Sequence, residues 1–363
     1  MRKLKPSKKL KSNKNDTSNV NHKLKVTACY IVKNEEKNLK LSLDSLKSQV
    51  DEIVIVDTGS TDNTIEIAKS YGAKVIETEW QDDFSTPRNI AIDNASGDWI
   101  VFIDADEYFS NDTIKNIRSV IEQAEKNHKW GLIINRINID IDNNNQVQDN
   151  TYILRIFKNM PGFYYVGKIH EEWQTPEKTP VPNLIFVPEN ILLLYHTGYS
   201  KTVNLDKARR NLKLLLNELE DTKHPDRIYG YIAQCYNGLH DIANAEKFAL
   251  LDINCGRRDV TYASSSYRIL LNILARDANR SEDRFNYVSR AVKDFPEIPE
   301  FHAEYAECLA LKKDFPTAIS EMETAIKSYS SYKAIEPTMF TPQMAEFAKK
   351  RLNLWRSYIN EKN

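Results

Sequence analysis

The stretch Gly97 to Phe109, GDWIVFIDADEYF, constrains the fold more than any other part of this sequence. Five apolar residues run from Trp99 to Ile103, followed by two carboxylates, Asp104 and Asp106, with Ala105 between them. An unbroken apolar run after a polar turn predicts a strand covered on both faces, as in the middle of a parallel sheet. Asp104 and Asp106 then fall at its carboxyl end, where open α/β sheets bind ligands. Side chains two apart in a strand share a face, so both carboxylates are expected to face one ligand. Hard divalent cations take oxygen ligands, and Mg²⁺ is commonly held by one or two carboxylates together with substrate phosphates. The pair suits a metal-diphosphate site; solvating a strand end or capping a helix are the plainer uses of two such acids.

The chain around this stretch alternates element types. VTACYIV (Val26 to Val32) reads as a strand, and Glu35 to Ser48 as a helix with Leu39, Leu43 and Leu46 on one face. Glu52 to Val56 is a second buried strand, Asp57 to Asn63 (DTGSTDN) a turn, Asp62 to Tyr71 a helix, and Ala73 to Ile76 a third strand. A helix over Pro87 to Ala95 leads into the carboxylate-bearing strand. Such alternation predicts a mostly parallel sheet, with the loops Asp57 to Asn63 and Asp104 to Glu107 meeting at its carboxyl edge. Within the first loop, Ser60, Thr61 and Asp62 offer helix caps. Asp57 is either a turn residue or an acceptor for a nucleotide base or ribose.

IVKNEE (Ile31 to Glu36), EIVIVDTGSTDNT (Glu52 to Thr64), DDFSTPRNIA (Asp82 to Ala91) and GDWIVFIDADE (Gly97 to Glu107) resemble, in order and spacing, the successive motifs of family 2 glycosyltransferases. The resemblance implies a GT-A fold, a nucleoside diphosphate sugar donor with a UDP-sugar as first expectation, Mg²⁺ or Mn²⁺, and inversion at the anomeric carbon. It also implies that Asp57 contacts the nucleotide and that Asp104-Ala105-Asp106 is the metal motif. FYYVGKIHEEW (Phe163 to Trp173) and LLLYHTGYS (Leu192 to Ser200) are similar to segments of a bacterial subgroup in which helical repeats often follow the transferase. That subgroup includes enzymes building lipopolysaccharide cores and enzymes glycosylating bacteriocin peptides, so the acceptor is expected to be a peptide, a glycan or a lipid-linked saccharide.

Between the two halves, Asn111 to Asn127 reads as a helix, Trp130 to Ile137, Tyr152 to Phe157 and Phe163 to Ile169 as strands, and Asp142 to Asn150 as a polar loop. Pro176, Pro180, Pro182 and Pro188 keep their segment extended. From Lys201 the pattern is helical, and RAVKDFPEIPE (Arg290 to Glu300) and TAIKSYSSYKA (Thr324 to Ala334) lie 34 residues apart, the tetratricopeptide period. The expected organisation is a basic arm over 1–23, a GT-A α/β domain over 24–200 and an all-α tetratricopeptide-like domain over 201–363. A repeat array presents a concave surface suited to an acceptor; bracing the transferase or forming a homodimer contact are its other uses.

Chemistry assigns the remaining roles. Arg88 is a candidate to support the diphosphate by a charge-assisted fork, or to pair with Asp82 or Asp83. The family context makes His196 a third, neutral metal ligand; a satisfied turn histidine is the alternative. The acceptor must lose a proton as it attacks, and Glu171 is the candidate base, with Glu172 and His170 behind it. A haloacid-dehalogenase-type phosphatase also carries Asp-x-Asp after a buried strand, but Tyr108 stands where that family has Thr or Val. A helical-repeat scaffold with an inactive transferase domain is the other competing class.

Composition excludes more than it selects. With 50 basic and 51 acidic side chains there is no overall field to attract nucleic acid. The eight Lys or Arg between Met1 and Lys23 occur with almost no apolar residues, so that arm is expected to be disordered, with weak attraction to an anionic membrane surface as the sharper reading. Cys29, Cys235, Cys255 and Cys308 are scattered without metal or disulfide spacing, and no signal peptide or membrane span is legible, so a cytoplasmic location is expected.

Overall fold

The structure, a computed structural model, describes residues 23–177, 181–198, 201–258, 260, 262–333, 336 and 338–360. The basic arm up to residue 22, Tyr199, Ser200 and Ala334 lie outside the described residues.

Strands and helices alternate as the sequence implies: β1 (Val26–Val32), α1 (Leu39–Leu46), β2 (Glu52–Asp57), α2 (Thr64–Ser70), β3 (Lys74–Glu77), α3 (Ser85–Asp93) and β4 (Trp99–Phe102). These four strands pair in parallel in the order β3-β2-β1-β4. Every residue of β4 is buried, and they alternate between two cores. Trp99 and Val101 join the leucines of α1, while Ile100 and Phe102 pack with Ala91 and Ile92 of α3. The continuous apolar run is thus the signature of a strand with helices on both sides.

Past β4 the sheet becomes mixed. β5 (Glu107–Phe109) is followed by α4 (Ile117–Lys126), β6 (Gly131–Asp140) and β7 (Gln146–Lys158). β8 (Tyr164–Val166) and β9 (Glu172–Gln174) form a separate antiparallel ribbon, and β10 (Leu184–Val187) and β11 (Leu193–His196) return to the main sheet. β7 lies antiparallel between β4 and β6, β11 runs parallel to β6, and β5 closes the row antiparallel to β11.

Two sequence readings are corrected. The polar run Asp142 to Asn150 is not wholly a loop: the turn ends at Asn145, and β7 begins at Gln146, pairing with β6 from Asp140. The polar side chains of Asp142 to Gln148 are exposed on a hairpin, so composition hid the strand. The Asp-x-Asp acids are not on a strand either, since β4 ends at Phe102 and the chain turns at once, with Glu107 N–H donating to the Asp104 carbonyl at 3.0 Å. Strand periodicity therefore does not set where the two carboxylates point.

The rest of the chain is helical: α5 (Lys201–Asp221), α6 (Tyr229–Gly238), α7 (Ile242–Asn254), α8 (Ser265–Leu274), α9 (Ser281–Asp294), α10 (Pro299–Leu311), α11 (Phe315–Ser330) and α12 (Pro342–Asn360). α6 to α11 stack as successive pairs, and fully buried alanines (Ala233, Ala245, Ala249, Ala306, Ala318, Ala325) let the helices approach closely. The first pairs share a core with Ile169, Trp80 and Phe84 of the sheet region, so the helices are seated on the carboxyl edge rather than strung beyond it.

Candidate active site

Two loops are locked together at the ends of β1 and β2. Asp57 is buried, and its Oδ1 accepts from Gly59 N–H at 2.9 Å and Ser60 N–H at 2.8 Å, while Gly59 takes a φ of +100° that a side chain would resist. The Asn34 side-chain oxygen accepts from Thr61 N–H at 2.7 Å, and Thr64 Oγ1 accepts from Glu35 N–H at 2.7 Å. Asp57 Oδ2 is buried with no hydrogen-bond partner among the described residues. One oxygen of Asp57 serves the turn, and the other is left for something else to satisfy.

The turn after β4 meets two arginines. Arg88 on α3 donates through Nη2 to Asp104 Oδ1 at 3.0 Å and through Nε to Glu171, and Arg155 on β7 donates to Asp104 Oδ2. Arg155 also reaches Glu107 Oε1 at 2.8 Å, which Arg136 joins at 3.2 Å. The result is a string of alternating charge, Glu171–Arg88–Asp104–Arg155–Glu107–Arg136, in which Arg88, Arg155 and Glu107 are almost wholly buried. Burial opposes ionisation of Asp104, but Arg155 and Arg88 overcome it and hold its carboxyl well below the usual carboxylate range. Arg88 does not pair with Asp82 or Asp83: Asp83 accepts from Ser85 N–H at 2.7 Å at the start of α3, and Asp82 accepts from the Trp80 indole at 2.9 Å. Arg88 Nη1 is itself buried with no hydrogen-bond partner among the described residues.

Asp106 keeps separate company. Its Oδ2 lies 3.2 Å from His196 Nε2 and accepts from Lys207 Nζ of α5 at 3.1 Å, and the far ring nitrogen of His196 is 2.8 Å from Asn138 Oδ1 on β6. The parallel register of β11 on β6, which sets His196 opposite Asn138, creates this arrangement. Burial raises the Asp106 pKa, yet His196 and then Lys207 bring it down to about 2. The three groups meet over Gly198, where a Cβ would collide with Asp106, Lys207 and His196 together. Nearby, burial pushes the carboxyl of Glu35 up to about 7, only partly offset by the Asn38 amide.

Two cavities open here. One of about 410 Å³ is lined by Glu35, Thr58, Asp104, Asp106, His196 and Lys207; Thr58 rather than Asp57 forms its wall. The other, about 650 Å³, lies between the sheet edge and the helices and is lined by Arg136, Tyr152, Arg155, Glu171, Tyr231 and Tyr262, among others. Phe84, Arg88 and Arg210 border both. His170 stacks on Tyr231 of α6 with ring centroids 3.6 Å apart, and poor hydration between the cavity walls draws its pKa down to about 4.

The structure thus gathers Arg88, Asp104, Asp106, Glu171 and His196 around joined cavities, with Asp57 behind them. Sequence reasoning missed Arg155, Glu107, Arg136, Asn138, Lys207, Arg210 and Tyr231. A lone arginine in the apolar run TYILRIF was a usable signal for Arg155, because a buried charge needs a partner.

Residues 27–186 match Glycosyl transferase family 2. The family match thus falls within the α/β half of the chain, and an all-α region follows it. Among curated proteins, the chain is 31% identical over 201 residues to the SPbeta prophage-derived glycosyltransferase SunS of Bacillus subtilis, covering 52% of this chain and 44% of that protein. It is 47% identical over 100 residues to a TPR repeat-containing protein of Synechococcus elongatus, covering 28% of this chain and 25% of the relative. The chain therefore spans less than half the length of either. Among solved structures, S. aureus TarS 1-349 in complex with UDP-GlcNAc aligns over 85% of this chain and 93% of its own, at 17% identity and a TM-score of 0.41.

Proposed function

We propose that the protein is an inverting, metal-dependent glycosyltransferase that moves a sugar from a nucleoside diphosphate sugar, first of all a UDP-sugar, to a peptide, glycan or lipid-linked acceptor in the cytoplasm. One observation carries the reading: the Asp104–Asp106 turn faces a cavity that joins, at Arg88, a larger cavity containing Glu171. Donor and acceptor then meet at the junction. Residues 24–200 are taken as the transferase domain and 201–363 as the tetratricopeptide-like domain.

The donor set suits Mg²⁺ or Mn²⁺. Asp106 and His196 would hold the ion, with Asn138 orienting the imidazole from behind. Among the described residues no third His, Cys, Asp or Glu completes a metal cluster, which leaves room for diphosphate oxygens and water, as Mg²⁺ prefers. Asp104 spends both oxygens on Arg88 and Arg155 and would join by exchanging one. When bound, the ion acts as a Lewis acid on the departing diphosphate. Arg88 has a free buried Nη1 to offer the same group. Asp57 Oδ2, buried behind the Thr58 wall without a partner among the described residues, is the acceptor proposed for a nucleoside N–H or O–H that reaches past that wall. Glu171 takes the acceptor's proton, and Arg88 holds its carboxylate in place.

The test is hydrolysis and transfer from UDP-, GDP- and dTDP-sugars with Mn²⁺ and after chelation. Absence of turnover with all donors, or full turnover without metal, would overturn it. A phosphatase reading meets a specific obstacle, since Asp104, its nucleophile, is clamped between two arginines.

A further inference from the structure

We infer that Arg210 of α5 is a donor-binding residue: it contacts the diphosphate of the nucleotide sugar from outside the family 2 domain, an assignment that rests on the nucleotide-sugar reading above. The match to the family ends at residue 186, and α5 belongs to the helical region that follows. Yet Lys207 and Arg210, three residues apart and so on one helical face, both line the smaller cavity.

The two cations differ in what they already hold. Lys207 is engaged by Asp106 Oδ2 at 3.1 Å and the Gly198 carbonyl at 3.3 Å. Arg88, Arg136 and Arg155, the other arginines around the cavities, each have a carboxylate. Arg210 has no carboxylate within ion-pair distance among the described residues. Among those residues its guanidinium donates only to the neighbouring Asn211 side chain, at 3.2 and 3.1 Å, and it lies over the ring of Phe84 at 5.2 Å. A planar guanidinium resting on an aromatic face and lining a cavity, with its Nε–Nη2 edge held by Asn211, has Nη1 left to offer an oxyanion among the described residues. Phe84 begins the approach to α3, which carries Arg88, so Arg210 and Arg88 flank the same junction between the cavities.

A diphosphate is the anion that fits this position. Two of the cavity's three acids are already compensated, Asp104 by two arginines and Asp106 by Lys207 beside His196, while the third, Glu35, accepts from the Asn38 amide and forms no ion pair among the described residues. Arg210 is therefore surplus positive charge at the mouth, and an anionic leaving group is the ligand that would neutralise it. A neutral sugar acceptor would gain nothing from a charge.

Calorimetric titration of the full chain with UDP and with uridine, in Mn²⁺, tests the assignment. Arg210→Gln is expected to weaken UDP about 10- to 100-fold, the range of one charge-assisted contact, and to leave uridine unchanged. Arg209→Gln, on the solvent side of the same helix and paired with Asp206, should change neither. Equal UDP affinity in Arg210→Gln and the parent protein, or equal losses for UDP and uridine, would overturn the inference. If the parent protein binds none of UDP, GDP and dTDP, the nucleotide reading itself fails, and the Arg210 assignment fails with it.

Discussion

Asp104→Asn and Asp106→Asn separate the two halves of the Asp-x-Asp motif. From sequence alone both substitutions should lower turnover much more than folding stability, because exposed strand-end acids seldom support a core. The structure divides them. Asp104 is clamped by Arg88 and Arg155, whose side chains are only 7% and 6% exposed. Breaking a buried ion pair by removing one partner costs roughly 3–5 kcal/mol. Each arginine retains a second carboxylate, Glu171 or Glu107, so we expect about 2–3 kcal/mol for Asp104→Asn. Asp106→Asn keeps an acceptor for Lys207, whose side chain is 34% exposed, and should cost less than about 1 kcal/mol. Both variants should lose most metal-dependent turnover.

The assay is thermal and urea unfolding of the three proteins beside their kinetics. The sign of the pH dependence is fixed as well. Asp104 is held below its ordinary pKa, so its contribution is present in full above about pH 4 and disappears as pH falls further. The stability gap between the parent protein and Asp104→Asn should therefore narrow in acid. Equal, small losses for the two variants, or a gap that widens below pH 4, would refute the clamp.

Glu171→Gln should slow the chemical step about 10²- to 10⁴-fold with donor affinity nearly unchanged, read in single-turnover experiments; weakened donor binding with normal turnover would make Glu171 a support for Arg88. Glu35, raised by burial from 4.5 to about 7, keeps its proton in the fold over that interval, so stability should fall as pH rises through it. Glu35→Gln should remove a slope worth ~2 kcal/mol after allowance for partial exposure, measured by urea unfolding between pH 4.5 and 8. Tyr231→Ala removes the stack on His170 and one wall of the larger cavity, and should raise the acceptor KM while sparing UDP affinity in calorimetry. Deleting the chain from about Asp226 should act in the same direction, since it removes α6 but leaves Lys207 and Arg210 in place.

The parallel core was legible because one physical rule governs it: a strand buried on both faces cannot carry polar residues, and Trp99 to Phe102 obey this residue by residue. The location of Asp104 and Asp106 at the sheet edge followed from the same run. Their orientation did not, because the chain leaves β4 at Phe102 and a turn has no two-residue period. The partners of Asp104 come from α3 and β7, and those of Asp106 from β11 and α5, all remote in sequence. Lys207 and Arg210 could not be distinguished from the other basic residues of an amphipathic helix until the helix was seen lying across the cavity. Gly198 likewise gave no signal, since its need for a bare Cα arises from three side chains that converge only in the folded chain.

The six linked side chains from Glu171 to Arg136 have a thermodynamic corollary. Three acids and three bases make the string neutral, and its two end regions border the larger cavity while its middle, Asp104, borders the smaller one. Any ligand that draws Asp104 away from Arg88 leaves that arginine to Glu171 alone, and the Arg88–Glu171 pair tightens. Linkage is reciprocal, so an acceptor that draws Glu171 away from Arg88 must weaken that ligand by the same factor. The occupancies of the two cavities are thereby coupled through Arg88, which borders both.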